Sequence, residues 1–310
     1  MASIREIAKR AGVAVATVSR VINHHPHVAD ETRSKVQAVI DKLGYVPNQI
    51  ARDLSLGKTY KIGVVIPHTR HPYFNHLIEG LLDAAKDSDY QLVFMPSNYS
   101  EELEKSYLGQ LRRRAIDGLI FTSHALSLEQ IAHYHDYGQI VMTEPLNKES
   151  PLSSAYIERL SAYTSLFQSF KSQGYGEVVL LFSRNSPISA TYQEGIAAYQ
   201  AVYDKQVPRT FGKIDNYQDG YRLAQELIKT SQTQLILATS DDVAAGIQQA
   251  YLDQKAPLPS LIGQENMLTS QLLKIPTIDH KGYQLGKILF ETALSQERQE
   301  TKLSSEIIWR

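Results

Sequence analysis

Four side chains near the start of the chain, Val15, Ala16, Ser19 and Arg20, have the types and spacing best suited to a chemical task. They share one face of a short helical stretch, while Val18, Val21 and Ile22 of the same stretch fall on another and are set aside for a core. The first face fits the major groove of double-stranded DNA. Positioning it takes a small scaffold. Ser3-Ile4-Arg5-Glu6 has the form of a capping box, in which the Ser oxygen accepts from the Glu6 N–H and the Glu6 carboxylate returns to the N–H of Ser3. A helix therefore starts at Ile4, Gly12 breaks it in a short turn, and a second runs through Val13 to Asn23, the order of a helix-turn-helix. A third, from Glu31 to Leu43, places Val36, Val39, Ile40 and Leu43 at i, i+3, i+4 and i+7 and stops at Gly44. The segment Pro47 to Gly57 allows about two turns at best, too few to be stable alone in water.

Charge agrees with a nucleic-acid partner. Residues 1–60 hold nine Lys/Arg against five Asp/Glu, a balance of +4 that leaves −5 of the total of −1 for the rest. An acidic body behind a basic head steers the head towards a duplex.

The order Ile4-x-x-Ile7-Ala8, Ala11-Gly12-Val13, Ala16-Thr17-Val18-Ser19-Arg20-Val21-Ile22-Asn23, Val28, Glu31-Thr32-Arg33, Leu43-Gly44-Tyr45-x-Pro47-Asn48, Ala51-Arg52-x-Leu54 resembles the LacI/GalR family of bacterial repressors. The resemblance implies that Val15, Ala16 and Arg20 read bases. Arg20 suits a guanine, while Val15 and Ala16 suit thymine methyls or exclude bulk. Thr17, Ser19, Asn23 and His27 then hold phosphates or the groove edge, and Ser3, Asn48 and Ala51 join the DNA-contacting set. The segment after the third helix becomes a hinge helix that folds on the operator, with Leu54 as an apolar wedge in the minor groove. Relatives carry Ser where this chain has Ala14 and Ala29, so two helix caps lack their oxygen, each typically worth about 1 kcal/mol.

Length and composition narrow the remainder. Three hundred and ten residues suggest two or three domains, and 43% hydrophobic content is ordinary for a soluble protein. No apolar run approaches the roughly 18 residues of a membrane span, and the N-terminus enters a charged helix rather than a signal peptide, so a cytoplasmic protein is expected. Zero cysteines exclude disulfides and thiolate metal sites. Gly57-Lys58-Thr59 lacks the earlier glycine of a phosphate loop, since that place is Arg52. The histidines at 24, 25, 27, 68, 71, 76, 133 and 135 lie in loop-like or surface stretches without cysteine partners, so neither metal nor other cofactor is expected. No Gly-x-Ser-x-Gly elbow occurs, and no enzymatic activity is expected. The eighteen tyrosines suit helix packing better than an aromatic nucleic-acid platform, because few alternate with basic residues.

From Ile62 the pattern becomes apolar runs of strand type alternating with helices. Strands are expected at Ile62 to Pro67, Gln91 to Met95, Asp117 to Phe121, Gln139 to Met142, Glu177 to Phe182, Leu235 to Ala238 and Leu261 to Gly263. The intervening helices are expected at Phe74 to Lys86, Glu101 to Arg113, Tyr156 to Ser172, Thr191 to Tyr203, Gly220 to Thr230 and Asp242 to Leu252. Such alternation means parallel sheets covered on both faces, here two doubly wound units with a cleft between them. This body resembles the periplasmic-binding-protein-like effector domain of the same family. The expected fold is thus an all-α helix-turn-helix module (1–46) with a hinge helix and linker (47–60), followed by a two-lobe α/β domain. The first lobe comprises 61–146 plus 280–297, including a late helix from Gly282 to Leu294. The second comprises 147–279 plus 298–310, including a final strand from Ser304 to Trp309.

Ligands in such sheets lie past the carboxyl ends of the strands. In the first lobe the candidates are Tyr73 and Phe74, which stack on a sugar ring or pack the lobe, with Ser123 beside His124, and Glu144 where relatives have Asp. In the second lobe Tyr192 stands where relatives carry an Arg that holds the ligand. Asp241 is retained, and Glu265 lengthens the usual acid by one methylene. Losing a bidentate Arg removes about 1.5–3 kcal/mol of charge-assisted bonding. The reading is a homodimeric repressor of carbohydrate-utilisation genes that binds near-palindromic operator DNA and answers to a sugar-like effector. A regulator with a ligand-insensitive pocket and a transporter's sugar receptor are the alternatives, the latter opposed by the head module.

Overall fold

The computed structural model describes residues 3–310 apart from 24, 47–52, 54, 55, 70, 185, 186, 188 and 231. It divides into two compact units, Met1–Thr59 and Tyr60–Arg310.

Among the described residues the first unit holds the helices α1 (Ile4–Ala11), α2 (Val15–Ile22) and α3 (Asp30–Leu43). Ser3 caps α1, its Oγ accepting from the Glu6 N–H at 3.3 Å. The reciprocal half of the expected box is replaced. The Glu6 carboxylate accepts instead from Arg10 at 2.7 Å, one turn along the exposed face. Gly12 and Gly44 end α1 and α3 in the left-handed region, at φ 66° and 56°. Ile7, Ala8, Ala11, Val18, Val21, Val36 and Ile40 form the core, with Ile22, Val39 and Leu43 packed on it. Ala14 and Ala29 sit at the N-caps of α2 and α3 with no side-chain bond to offer the first-turn N–H groups.

The second unit holds two six-stranded sheets. The first is built from β1 (Lys61–Ile66), β2 (Gln91–Pro96), β3 (Gly118–Phe121), β4 (Gln139–Met142), β5 (Ser153–Glu158) and β11 (Glu300–Ser304), in the order β11-β5-β4-β3-β1-β2, all parallel. Helices α4 (Pro72–Ala85), α5 (Glu101–Arg112), α6 (Leu128–Ala132) and α12 (Gly282–Leu294) belong to it. The second sheet is built from β6 (Val178–Phe182), β7 (Arg209–Gly212), β8 (Leu235–Leu237), β9 (Ser260–Gln264), β10 (Thr277–Asp279) and β12 (Glu306–Ile308). Its order is β12-β10-β9-β8-β6-β7, with only the β10–β12 pair antiparallel. Helices α7 (Leu160–Ser172), α8 (Ala190–Val202), α9 (Tyr217–Thr230), α10 (Asp241–Asp253) and α11 (Leu268–Leu273) accompany it.

The apolar runs are continuous because both sheet faces are covered. Along β6, Val178, Leu180 and Phe182 enter one core while Val179 and Leu181 enter the core on the opposite face. Along β1, Ile62, Val64 and Ile66 are divided in the same way from Val65. The late helix α12 packs on α4 in the first lobe, backbone against backbone: a Cβ on Gly286 would fall onto the Leu77 carbonyl oxygen.

Three expectations need correction. Residues 153–158 are strand β5 and not the start of a helix; the helix begins only at Leu160. That strand joins the first sheet, so this sheet extends beyond residue 146. Residues 300–304 form β11 beside β5, also in the first sheet, and only β12 reaches the second. The strands not expected from sequence, β5, β7, β10 and β11, all mix polar with apolar residues, β11 lying at a sheet edge where one side meets solvent.

The missing caps give a test. The backbone at Ala29 (φ −57°, ψ 140°) already suits a cap, so Ala29→Ser should stabilise the head by about 1 kcal/mol. Amide exchange across α1–α3 in the full-length chain should slow about fivefold. Unchanged exchange would mean that the helix start is satisfied by other means.

Candidate effector cleft and DNA-reading face

On the head, α2 displays the expected face. Val15, Ala16 and Arg20 are exposed, Thr17 and Ser19 are half-buried, and Val18 and Val21 turn inward. Asn23 and His27 are exposed just beyond, and the Asn23 amide approaches Ser19 Oγ at 3.5 Å. Ser3 is exposed with its hydroxyl committed to the α1 cap. Asn48, Ala51 and Leu54 lie outside the described residues.

In the body, the carboxyl ends of the two sheets face a shared cavity whose empty space, counting the open solvent at its mouth, is about 1030 Å³. Tyr73, Phe74, Ser123, Glu144 and Glu265 line it as expected. Phe182 and Tyr99 add aromatic faces from the ends of β6 and β2.

Two expected residues stand elsewhere. Tyr192 is outside the lining: its ring packs edge-on against Phe182 at 5.0 Å, so Phe182 is the aromatic that meets the cavity. Asp241 is fully buried beneath the end of β9, where its carboxylate accepts from the Met267 N–H and the Thr277 hydroxyl, each at 2.6 Å. It fastens the start of α10 to β10 and α11.

Arg159 is the residue that sequence reasoning missed. It follows β5, is 9% exposed and lines the cavity. Its Nη1 donates to the Ile157 carbonyl at 3.2 Å and faces Glu194 at 3.4 Å, and its backbone N–H donates to Glu194 as well. Burial is the largest influence and opposes its charge, but Glu194, Tyr163, Tyr73 and Glu265 together outweigh it and hold the guanidinium ionised. The cleft therefore has an arginine after all, from β5 rather than from α8. The signal for it was β5 itself: with 153–158 read as a strand, Arg159 falls at a carboxyl end.

Two further groups tie the lobes together. His71 caps α4, its Nδ1 accepting from the Tyr73 N–H at 3.2 Å, while its Nε2 reaches the Thr239 carbonyl of the other lobe at 3.1 Å. A carbonyl accepts only, so Nε2 carries the proton and Nδ1 none, which fixes a neutral ring. Arg184, past β6, donates to the His124 carbonyl at 3.3 Å and lies over the Tyr99 ring at 4.1 Å, both in the first lobe.

His124 is the opposite kind of histidine. Its Nε2 lies 2.5 Å from Glu144 and its Nδ1 2.5 Å from the Leu126 carbonyl, so both nitrogens face acceptors. Burial works against its charge, yet the hydrogen bond and charge of Glu144 lift its pKa above the ordinary value. The loop behind it is held by the buried Glu104 carboxylate, which accepts from the N–H groups of Ala125 and Leu126 at 2.9–3.0 Å.

The comparisons with known proteins fit this geometry. Residues 3–48 match the family model for bacterial regulatory proteins of the lacI family, and residues 59–267 match that for periplasmic binding proteins and the sugar-binding domain of the LacI family. The chain belongs to the LacI family. Catabolite control protein B of Bacillus subtilis (strain 168) is 35% identical over 305 residues, 98% of this chain and 97% of that protein. A crystal structure of the lac repressor dimer bound to operator and the anti-inducer ONPF shares the fold at TM-score 0.81 and 19% identity, over 99% of this chain and 97% of that one. A LacI-family regulator from Lactobacillus casei with bound sucrose aligns at TM-score 0.70 and 17% identity, over 81% and 98%. This LacI-family member is a DNA-binding transcriptional regulator. Among its described residues no helix is long and apolar enough to cross a membrane.

His71 makes the stability of this family member depend on pH. Burial lowers its pKa from 6.5 to about 4, against a rise from the charge of Asp215. The unfolded chain thus binds the proton more readily. The contribution is intact above pH 6.5, declines as pH falls and is lost below about 4. The melting temperature should drop across this window, and His71→Asn, which keeps a capping oxygen, should shallow the drop. An identical pH slope in the variant would remove His71 as its source.

Proposed function

We propose that this regulator is a homodimeric repressor of carbohydrate-utilisation genes, released from or recruited to a near-palindromic operator by a sugar-like effector in the cleft. The observation that carries the reading is a cavity lined from both lobes by aromatic faces and hydrogen-bonding groups, Tyr73 and Phe74 on one side and Phe182 and Glu265 on the other. A ligand touching both lobes favours one lobe arrangement over another, which is what a population shift requires. Val15, Ala16 and Arg20 are the proposed base readers. Ser3, Thr17, Ser19, Asn23 and His27 are proposed backbone contacts, and Asn48, Ala51 and Leu54 are assigned to the operator centre with Leu54 as the wedge. Pairing of two such heads across a palindrome is the reason for expecting a dimer. The regulator is expected to act in the cytoplasm.

A second reading has its own support. His71 and Arg184 already bridge the lobes with the chain's own groups, as a regulator insensitive to ligand would need.

The test is selection of genomic fragments by the full-length protein at moderate salt, repeated with sugars added. A shared palindromic site beside sugar-uptake or sugar-hydrolysis genes, with retention altered by one sugar, is the expected result. A shared site that no sugar disturbs favours the second reading, and retention without any shared site removes both. On the selected site, Arg20→Ala should cost about 1–3 kcal/mol and relax preference at one base pair per half-site. A uniform loss over all sequences would make Arg20 a phosphate contact instead.

A further inference from the structure

Glu265 is the group in the cleft whose chemistry is unfinished. It follows β9 with a backbone φ of 88°, a left-handed conformation that a residue with a Cβ rarely adopts. Its N–H donates to the Ile278 carbonyl at 2.9 Å, which pins the turn and sets the carboxyl against the cavity. The residue is 5% exposed, and its Oε2 is buried without a hydrogen-bond partner. Such an atom costs folding free energy unless a bound molecule satisfies it.

The surroundings decide its form. Arg159 favours an ionised carboxylate but already faces Glu194. Asp241, across the end of β9, and Asp279, on the neighbouring strand and paired with Lys281 at 3.1 Å, oppose a further negative charge. Among the described residues, Tyr73 and Tyr163 also feel its charge and neither is positive, while His280, in the same cavity wall, is held uncharged by burial. Burial is the largest influence and lifts the carboxyl to about 8, with Asp241 and Asp279 adding to the rise against the pull of Arg159.

We propose that Glu265 is a carboxylic acid that donates its proton in a hydrogen bond to an acceptor oxygen of an uncharged, oxygen-rich effector, so that occupancy of the cleft is linked to protonation. This rests on the effector reading above and deepens it by naming the ligand's charge. Among the described residues the cationic groups of the cleft are already matched: Arg159 faces Glu194, His124 faces Glu144, and Arg184 is engaged with a carbonyl and a ring. An ammonium ligand needs a carboxylate that the site resists forming. An anion needs a guanidinium that is not already taken.

The experiment is calorimetric titration of the full-length protein with glucose, ribose, sucrose, cellobiose and glucosamine at pH 7 and pH 9. Beside it, the carboxyl carbons of glutamate-labelled protein are followed by carbon-13 NMR across the same range. For a sugar that binds, affinity should fall about tenfold between pH 7 and pH 9 as the acid is lost. In Glu265→Gln, whose amide still donates but does not titrate, the dependence of affinity on pH between 7 and 9 should vanish. One carboxyl resonance should titrate near pH 8 and be missing from that variant. Glu265→Asp serves for the same assignment if the amide variant fails to fold. Affinity independent of pH in the unmodified protein, stronger binding of glucosamine at pH 9, or titration of Glu265 in the ordinary carboxylate range would each overturn the proposal. If no sugar binds, the sugar reading of the cleft falls and the carboxyl titration still decides Glu265. A value near 8 then upholds the acid and directs the search to other uncharged ligands.

Discussion

Parallel strands buried on both faces leave no room for ligand chemistry along their length. From Ile62 onward in β1 and throughout β6, every side chain enters one core or the other, so polar function is confined to the loops past the strand ends. The cleft of this protein follows from that confinement applied twice. Thr122 and Ser123 follow β3, Thr143 and Glu144 follow β4, Arg159 follows β5, Ser183 and Arg184 follow β6, and Glu265 follows β9. Because the loops are set by sheets buried on both faces, the site is pre-organised. The positions of its groups are fixed by strand register before a ligand arrives.

Confinement to strand ends also puts the lobe-to-lobe contacts in the same place as the site. Gln264 shows how tightly the two are joined. Its Oε1 accepts from the Tyr163 hydroxyl and from His280 Nε2, each at 2.7 Å, while its amide donates to the Ala238 carbonyl. His280 in turn bonds Ser305, in the connection between β11 of the first sheet and β12 of the second. A shift at the end of β9 therefore meets the segment where the chain crosses between sheets. With His71 and Arg184 bridging the cavity directly, the lobe angle is set by a few hydrogen bonds, each worth on the order of 1 kcal/mol. A ligand needs to add only a few such bonds in one arrangement to change its population.

The head was legible in the sequence almost to the residue, because short helices announce themselves through caps, a turn glycine and spacing. Val18, Val21, Val36 and Ile40 are buried where their period placed them. The one local error, the Glu6 carboxylate, arose from two partners at similar reach: the Ser3 N–H and Arg10 compete for it, and the charged donor wins. In the body the apolar strands were legible for the opposite reason, as unbroken runs. Strands β5 and β11 were not, since Ser153-Ser154 and Glu300-Thr301-Lys302 lack such a run and owe their strand form to pairing with each other across about 150 residues of chain. That one omission also hid Arg159. Tyr192 and Asp241 were misplaced because likeness to a motif fixes a backbone position and leaves the direction of the side chain to packing, here to Phe182 and to Thr277.

The head and the cleft are linked by the energetics of marginal order. Without cap oxygens at Ala14 and Ala29, two helices of the head each give up about 1 kcal/mol in a core of seven buried side chains. A helical unit of this size has little to spare. DNA binds the folded head and not the unfolded one, so part of the affinity for an operator is spent on holding the head in its folded form. An operator that makes many contacts meets that cost easily, and a poor site does not. The absent caps thus act in the direction of selectivity, because they lower affinity for all DNA by a similar amount and leave only the best sites occupied. Under the proposed function, an effector that changed operator affinity by about 1–2 kcal/mol would work near the threshold of occupancy, where so small a change alters the bound fraction most.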